Sequence, residues 1–144
     1  CPDAGFLIPF GQGDVRRQGD DLTLVTWGAT VEKSLQAAAR AASHLGVETE
    51  VIDLRTIAPW DRELVADSLS GTHRLLVVHE DNLTAGFGAE VAAWAGEHCF
   101  GDLDAPIARV GALDTHVAYE PTLERAILPQ VDDIFGAIAD VCSY

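Results

Sequence analysis

The richest run of reactive side chains is His79-Glu80-Asp81-Asn82, followed after Leu83 by Thr84-Ala85-Gly86-Phe87-Gly88. His79 can act as a general base, with Glu80 or Asp81 close enough to set its tautomer. It can equally be a hydrogen-bonded histidine at a strand end or interface. A glycine-rich turn feeding a helix can hold an anion on its free N–H groups. The fingerprint here is half complete, because Val91 fills the third glycine position after Gly86 and Gly88. Two acids just upstream also oppose a phosphate, so close packing is the competing reading for both glycines. Asp53 and Arg55 project to one face of a strand. They form a catalytic pair, an ion pair or a loop brace.

The other reactive residues form no constellation. Ser34, Ser43, Ser68, Ser70 and Ser143 lack a G-x-S-x-G context. His44, His73, His98 and His116 show no metal-ligand spacing. Cys1, Cys99 and Cys142 are odd in number and far apart, which supports neither a disulfide framework nor a zinc site. Buried thiols in a reducing, cytoplasmic compartment are the expectation. Trp27, Trp60 and Trp94 lack a basic surround and read as core or interface residues.

Ligand sites in open parallel sheets lie beyond the carboxyl ends of strands. Gly28-Ala29-Thr30, Asp53-Leu54-Arg55-Thr56 and His79-Glu80-Asp81-Asn82 hold such positions in the predicted order of elements. Residues 1–13 form a Pro- and Gly-rich lead-in, and residues 14–144 a single domain. Asp14–Arg17 is a short strand closed by Gly19-Asp20. Leu22–Trp27 reads as a strand buried on both faces. Thr30 caps a helix carrying Val31, Leu35, Ala38, Ala42 and Leu45 on its apolar face, and Gly46 stops it. Glu48–Leu54 is a strand, Asp61–Leu69 a helix stopped by Gly71, and Arg74–His79 a further strand. Helix Gly86–Cys99, strand Ile107–Val110 and helix Val131–Val141 complete the alternation, with 111–121 left as a loop. Such alternation means βαβ units and a mostly parallel sheet with helices on both faces.

The chain has 144 residues, 48% hydrophobic and 22% charged, enough for one domain with a core. Nine basic residues against 23 acidic ones give a net charge of −14. Nucleic acid and anionic lipid would repel such a surface, so neither is an expected partner. No run of 18 apolar residues is present, so no membrane span is expected. Half of the net charge falls on residues 91–144, where only Arg109 and Arg125 oppose nine acids. Glu97, Asp102 and Asp104 gather before Pro106, and Asp132, Asp133 and Asp140 fall on the last helix. Plain solubility is one reading of this charge; the other is a basic protein partner, which would meet such a face with a fast on-rate. The chain opens on Cys1-Pro2 and holds no methionine, from which a piece of a longer protein is expected.

Several segments in series resemble the C-terminal domain of transketolase-like proteins. They are Ile8-Pro9-Phe10-Gly11, Asp21 to Gly28, and Val51-Ile52-Asp53-Leu54-Arg55-Thr56 with Pro59 and Asp61. His79-Glu80, Gly86-Phe87-Gly88-Ala89-Glu90, Leu103-Asp104-Ala105-Pro106-Ile107 and Leu113-Asp114-Thr115 follow in the same order. More narrowly, the chain is similar to the beta subunit of thiamine-diphosphate-dependent 2-oxoacid dehydrogenases. Leu83 to Phe87, Glu97-His98-Cys99-Phe100 and the Ser143-Tyr144 ending favour the branched-chain type over the pyruvate type.

The resemblance implies a three-layer α/β/α sandwich on a five-stranded mixed sheet with its first strand antiparallel. It also implies a parent that decarboxylates a 2-oxoacid on thiamine diphosphate and Mg, then reductively acylates a lipoyl group. In the family the cofactor lies between an alpha subunit and the beta subunit's N-terminal domain, which also carries the catalytic histidine. Neither region matches this chain, so no catalytic, cofactor-binding or metal residue is carried over, and His79 is not that base. The implied partners are an alpha subunit or alpha portion, a second beta subunit in a heterotetramer, and the basic subunit-binding domain of the acyltransferase core. Asp104 and the Tyr144 carboxylate match the docking positions, whereas Ala108 stands where some relatives have a second acid. This makes the chain an assembly and docking domain without activity of its own. A fragment of a transketolase or deoxyxylulose-phosphate synthase, and a flavodoxin-like nucleotide- or anion-binding module, remain as alternatives.

Overall fold

The computed structural model describes Gly5 and residues 7–144; Cys1 and the rest of 1–6 lie outside the described residues. Five strands form one sheet: β1 (Asp14–Arg17), β2 (Leu22–Thr26), β3 (Thr49–Asp53), β4 (Leu75–Asn82) and β5 (Ala108–Ala112). Their spatial order is β1-β3-β2-β4-β5. β1 runs antiparallel to β3, and the other pairings are parallel. The expected antiparallel first strand is thus present. A parallel sheet must be covered on both faces, and alternation along the strands supplies two cores. Leu22, Leu24, Val51, Leu76 and Val78 face α1 (Thr30–Leu45) and α5 (Val131–Cys142). Val25, Ile52, Leu75 and Val77 face α2 (Arg62–Thr72) and α3 (Phe87–His98).

Several local expectations change. Ala29, not Thr30, occupies the N-cap of α1 and makes no side-chain cap bond. The Thr30 hydroxyl turns inward, donating to the Trp27 carbonyl at 2.8 Å and pairing with the Thr26 hydroxyl at 2.8 Å. The buried face of α1 is Thr30, Ser34, Ala37, Ala38 and Ala41, while Leu45 is exposed. Small side chains there let the helix approach the sheet closely. Gly46 does end α1 in the left-handed region, at φ 69°. α2 runs through Gly71 and ends at His73, itself left-handed at φ 58°. β4 extends three residues past His79, and a short helix, α4 (Pro121–Ile127), begins where the expected loop ends. Asp53 and Arg55 make no ion pair with each other, but Asp53 Oδ1 accepts from Arg55 N at 3.0 Å and so braces the loop. Arg55 Nη2 lies 2.6 Å from Asp14 Oδ2, and Arg16 Nη1 3.9 Å from Asp53 Oδ2.

The lead-in is tied down at two points. Gly11 N donates to Thr56 Oγ1 and Gly13 N to Asp61 Oδ2, each at 2.9 Å. Asp61 also caps α2 by accepting from Leu64 N. Cys99 is buried and Cys142 half-buried, both as free thiols, and burial pushes both up in pKa. Among the described residues, no helix is long and apolar enough to cross a membrane.

Two backbone positions yield predictions. A Cβ at Gly19 would lie 2.4–2.5 Å from backbone atoms of Glu48, Thr49 and Glu50. Gly19→Ala should therefore cost about 1–3 kcal/mol in urea unfolding, the usual range for overpacking. Ala85 sits at φ 61°, where an L side chain costs about 1–2 kcal/mol. Ala85→Gly should stabilise the fold by about 0.5–1 kcal/mol once the extra freedom of an unfolded glycine is subtracted.

Candidate functional site

The carboxyl edge of the sheet is closed around His79. This side chain comes from the buried part of β4 and is itself fully buried. Its ring stacks on Trp27, just past β2, with centroids 5.4 Å apart and planes within 2°. Phe87 meets the same indole edge-on at 5.6 Å. Gly86 and Gly88 at the start of α3 and Gly111 in β5 surround the imidazole. Added Cβ atoms would lie 3.0 Å from Cε1, 2.2 Å from Nε2 and 3.1 Å from Cε1 respectively. The two motif glycines thus serve close packing. Neither ring nitrogen has a hydrogen-bond partner. Burial, with a smaller push from Arg109, holds the histidine below its usual pKa, against the Asp81 carboxylate and the nearby Asp81 backbone, both of which favour the protonated ring. Fully buried and walled by an indole and three glycines, the ring is placed as a packing residue.

The anion position at the head of α3 is filled by the protein itself. Asp81 Oδ2 accepts from Phe87 N at 3.3 Å, and Glu90 lies in the first helical turn, where the helix dipole favours both acids. Next to it, Thr84 donates through Oγ1 to Asp114 Oδ2 at 2.5 Å and through N to Oδ1 at 3.2 Å. These bonds hold the Asp114 carboxyl below the usual range. Arg109 Nη1 donates to the Leu83 carbonyl at 2.8 Å. Glu80 points away from His79, into a polar cleft of about 340 Å³ shared with Lys33, Glu124, Arg125 and Gln130. The head of α3 is a poor match for the diphosphate of thiamine diphosphate, because the Asp81 carboxylate on Phe87 N would repel it. Among the described residues, no group of three His, Cys, Asp or Glu is placed to hold a metal ion.

The amino edge is open. Asp104 N donates to the His73 carbonyl at 2.9 Å, which fixes the exposed Asp104 carboxylate beside the start of β4. Cys142, at the end of α5, is near enough to Arg74 and Asp21 to feel both charges. Those residues precede β4 and β2, so Tyr144, 75% exposed, belongs to the same edge as Asp104. An open pocket of about 440 Å³ lies against Asp104, walled by Gly96, Phe100, Leu103, Pro106 and Ile107. Phe100 is 78% exposed at its rim.

The structure therefore separates the residues selected from sequence. His79, Asp81, Gly86, Phe87, Gly88 and Glu90 meet at the carboxyl edge, with Glu80 in the cleft beside them. Asp104 and Tyr144 lie at the amino edge. Sequence reasoning missed Trp27 and Gly111 as walls of the histidine slot, and Phe100 and Pro106 as walls of the pocket. Leu103-Asp104-Ala105-Pro106, an apolar run around one acid, was the available signal for the pocket.

Over residues 11–134 the chain matches the family described as transketolase, C-terminal domain. It is 41% identical over 143 residues to the mitochondrial 2-oxoisovalerate dehydrogenase subunit beta 2 of Arabidopsis thaliana, covering 99% of this chain and 39% of that protein. The mitochondrial pyruvate dehydrogenase E1 component subunit beta-1 of the same plant is 39% identical over 140 residues, covering 97% and 38%. Among solved structures, a split gene transketolase described as an inactive beta4 tetramer is similar with TM-score 0.84 at 25% identity. That match covers 98% of this chain and 45% of the other. The chain spans about two-fifths of the length of the curated relatives it matches. By sequence over nearly all its length and by its mixed five-stranded sheet, the chain belongs to the transketolase C-terminal domain family.

Proposed function

We propose that this chain is the C-terminal assembly and docking domain of the beta subunit of a 2-oxoacid dehydrogenase. A branched-chain 2-oxoacid is favoured over pyruvate as the substrate of the whole enzyme. The observation that carries this reading is identity near 40% running along 97–99% of this chain, onto only about two-fifths of subunits named beta. In this reading residues 14–144 are the domain and 1–13 its lead-in from the rest of the subunit. Thiamine diphosphate and Mg belong to the whole enzyme, held by regions outside this chain, with an alpha subunit or alpha portion and a second beta subunit as partners. The location is the cytoplasm or, as the plant relatives are named, the mitochondrion. Asp81 on the head of α3 opposes a free-standing nucleotide-binding module, because an incoming phosphate would have to displace a bound carboxylate. Half of a split transketolase is the second reading, favoured by the TM-score of 0.84, but its 25% identity stands well below 41%.

Docking is assigned to the amino edge. Asp104 is exposed, forms no ion pair among the described residues, and adjoins an open apolar pocket. A carboxylate beside apolar walls suits a partner presenting Arg or Lys next to an aliphatic side chain, the chemistry expected of a basic subunit-binding domain. The exposed Tyr144 side chain lies on the same edge.

Two measurements test this reading. Calorimetric titration of thiamine diphosphate with Mg²⁺ into the chain should give no saturable heat; saturable micromolar binding would sink the proposal. In stopped-flow association with the isolated basic subunit-binding domain, Asp104→Lys should slow the on-rate by about tenfold at low salt and flatten its salt dependence. Unchanged rates at both ionic strengths remove Asp104 from the docking face.

A further inference from the structure

Three elements far apart in sequence close on one side chain. β4 contributes His79, the end of β2 contributes Trp27, and the segment from Gly86 into α3 and strand β5 contribute Gly86, Gly88 and Gly111. Both ring nitrogens are buried without a partner. A neutral imidazole in this slot leaves one donor and one lone pair unmatched, which stacking and close packing must offset. An imidazolium would bring two unmatched donors and a buried charge, a far larger penalty.

The neighbouring charges do not rescue the cation. The Trp27 segment offers none, and β5 offers Arg109, which repels it. α3 presents Glu90 in its first turn, but also the positive end of its dipole beside Gly88. On β4, Glu80 lies in the cleft on the other side, and Asp81 attracts while already accepting from Phe87 N. The Asp81 backbone also lies close enough to favour the cation, but burial outweighs both Asp81 contributions, and the pKa falls below the usual histidine range.

We propose that His79 is an acid-operated latch: neutral, its unpartnered ring holds Trp27, the Gly86–Gly88 turn and Gly111 together, and protonated it leaves the slot and frees residues 83–88. The sign follows from linkage. A histidine whose folded value is depressed supports the closed state fully above its unfolded value of about 6.5. It loses that support as pH falls from there through the folded value. Within that window the open population rises by up to about tenfold per pH unit, the slope of one extra proton bound on opening.

Amide hydrogen exchange on the protein between pH 7.5 and 5, expressed as protection factors, reads this directly. Residues 83–88 and 111 should lose up to about tenfold protection per pH unit while β2 amides hold theirs, and His79→Phe, which keeps the stack, should abolish the loss. An NMR titration of the wild-type rings supplies a measurement independent of how the variant folds. His79 should stay neutral as the pH falls through about 6.5, the ordinary histidine value. A His79 ring that titrates at or above that ordinary value, uniform protection across the pH range, or a pH-dependent loss that persists in His79→Phe each overturns the latch.

Discussion

β2 has no side chain in solvent: all five of its residues are buried, and two of them are threonines. A buried hydroxyl without a partner costs about 1–3 kcal/mol, so the helices on either face must supply partners. On one side Thr23 bonds the hydroxyls of Ser68 and Thr72 in α2, each at 2.6 Å. At the strand's carboxyl end Thr26 bonds Thr30, the first residue of α1. Hydrophobic contact alone is tolerant of a sliding helix. These short polar contacts are not, and they set the position of both helices against the central strand.

That placement decides what each edge of the sheet can become. Because Thr30 must meet Thr26 and the Trp27 carbonyl, the chain turns tightly after β2, and Trp27 lies over the end of β4. The indole then covers His79, and only glycine leaves room for the ring at positions 86, 88 and 111. Polar groups around this slot are taken up internally: Asp81 by the Phe87 amide, Asp114 by Thr84, Arg109 by the Leu83 carbonyl. Around His79 the usual ligand edge of a parallel sheet is therefore closed by the chain's own side chains, with the polar cleft at Glu80 beside it. The opposite edge, where the segment 100–107 crosses from α3 to β5, has no such closure.

The alternation of strands and helices was legible because β2 and the first half of β4 are short, largely apolar runs and each long helix carries a stripe. The antiparallel first strand and the mixed sheet came from the family resemblance. What was not legible has identifiable causes. Hydrophobicity ranks Leu35 and Leu45 above Ala37 and Ala41, yet close approach to the sheet selects the small residues for burial. α4 is seven residues with no buried side chain, so no periodicity marks it. The helix stop at Gly71 failed because His73 takes the left-handed position instead. The packing role of Gly86 and Gly88 was one of two open readings; the third glycine of the slot, Gly111, is visible only once β4 and β5 are paired.

The distribution of paired charge gives the acidity its meaning. Among the described residues the ion pairs fall on β1, β3 and their flanks, and between Arg40 and Asp132. Asp133 is engaged by its own backbone, accepting from Gln130 N at the head of α5. Asp104 and Asp140 enter no ion pair, and neither do Glu97 and Asp102. Exposed pairs contribute little to stability, so neutralising these acids would gain the fold little. Acids without an ion pair also occur elsewhere among the described residues, at Glu63, Asp67 and Glu90 among others, so free charge alone does not mark a docking face. What sets Asp104 apart is its place against an open apolar pocket, where one partner side chain could meet both the carboxylate and the apolar wall.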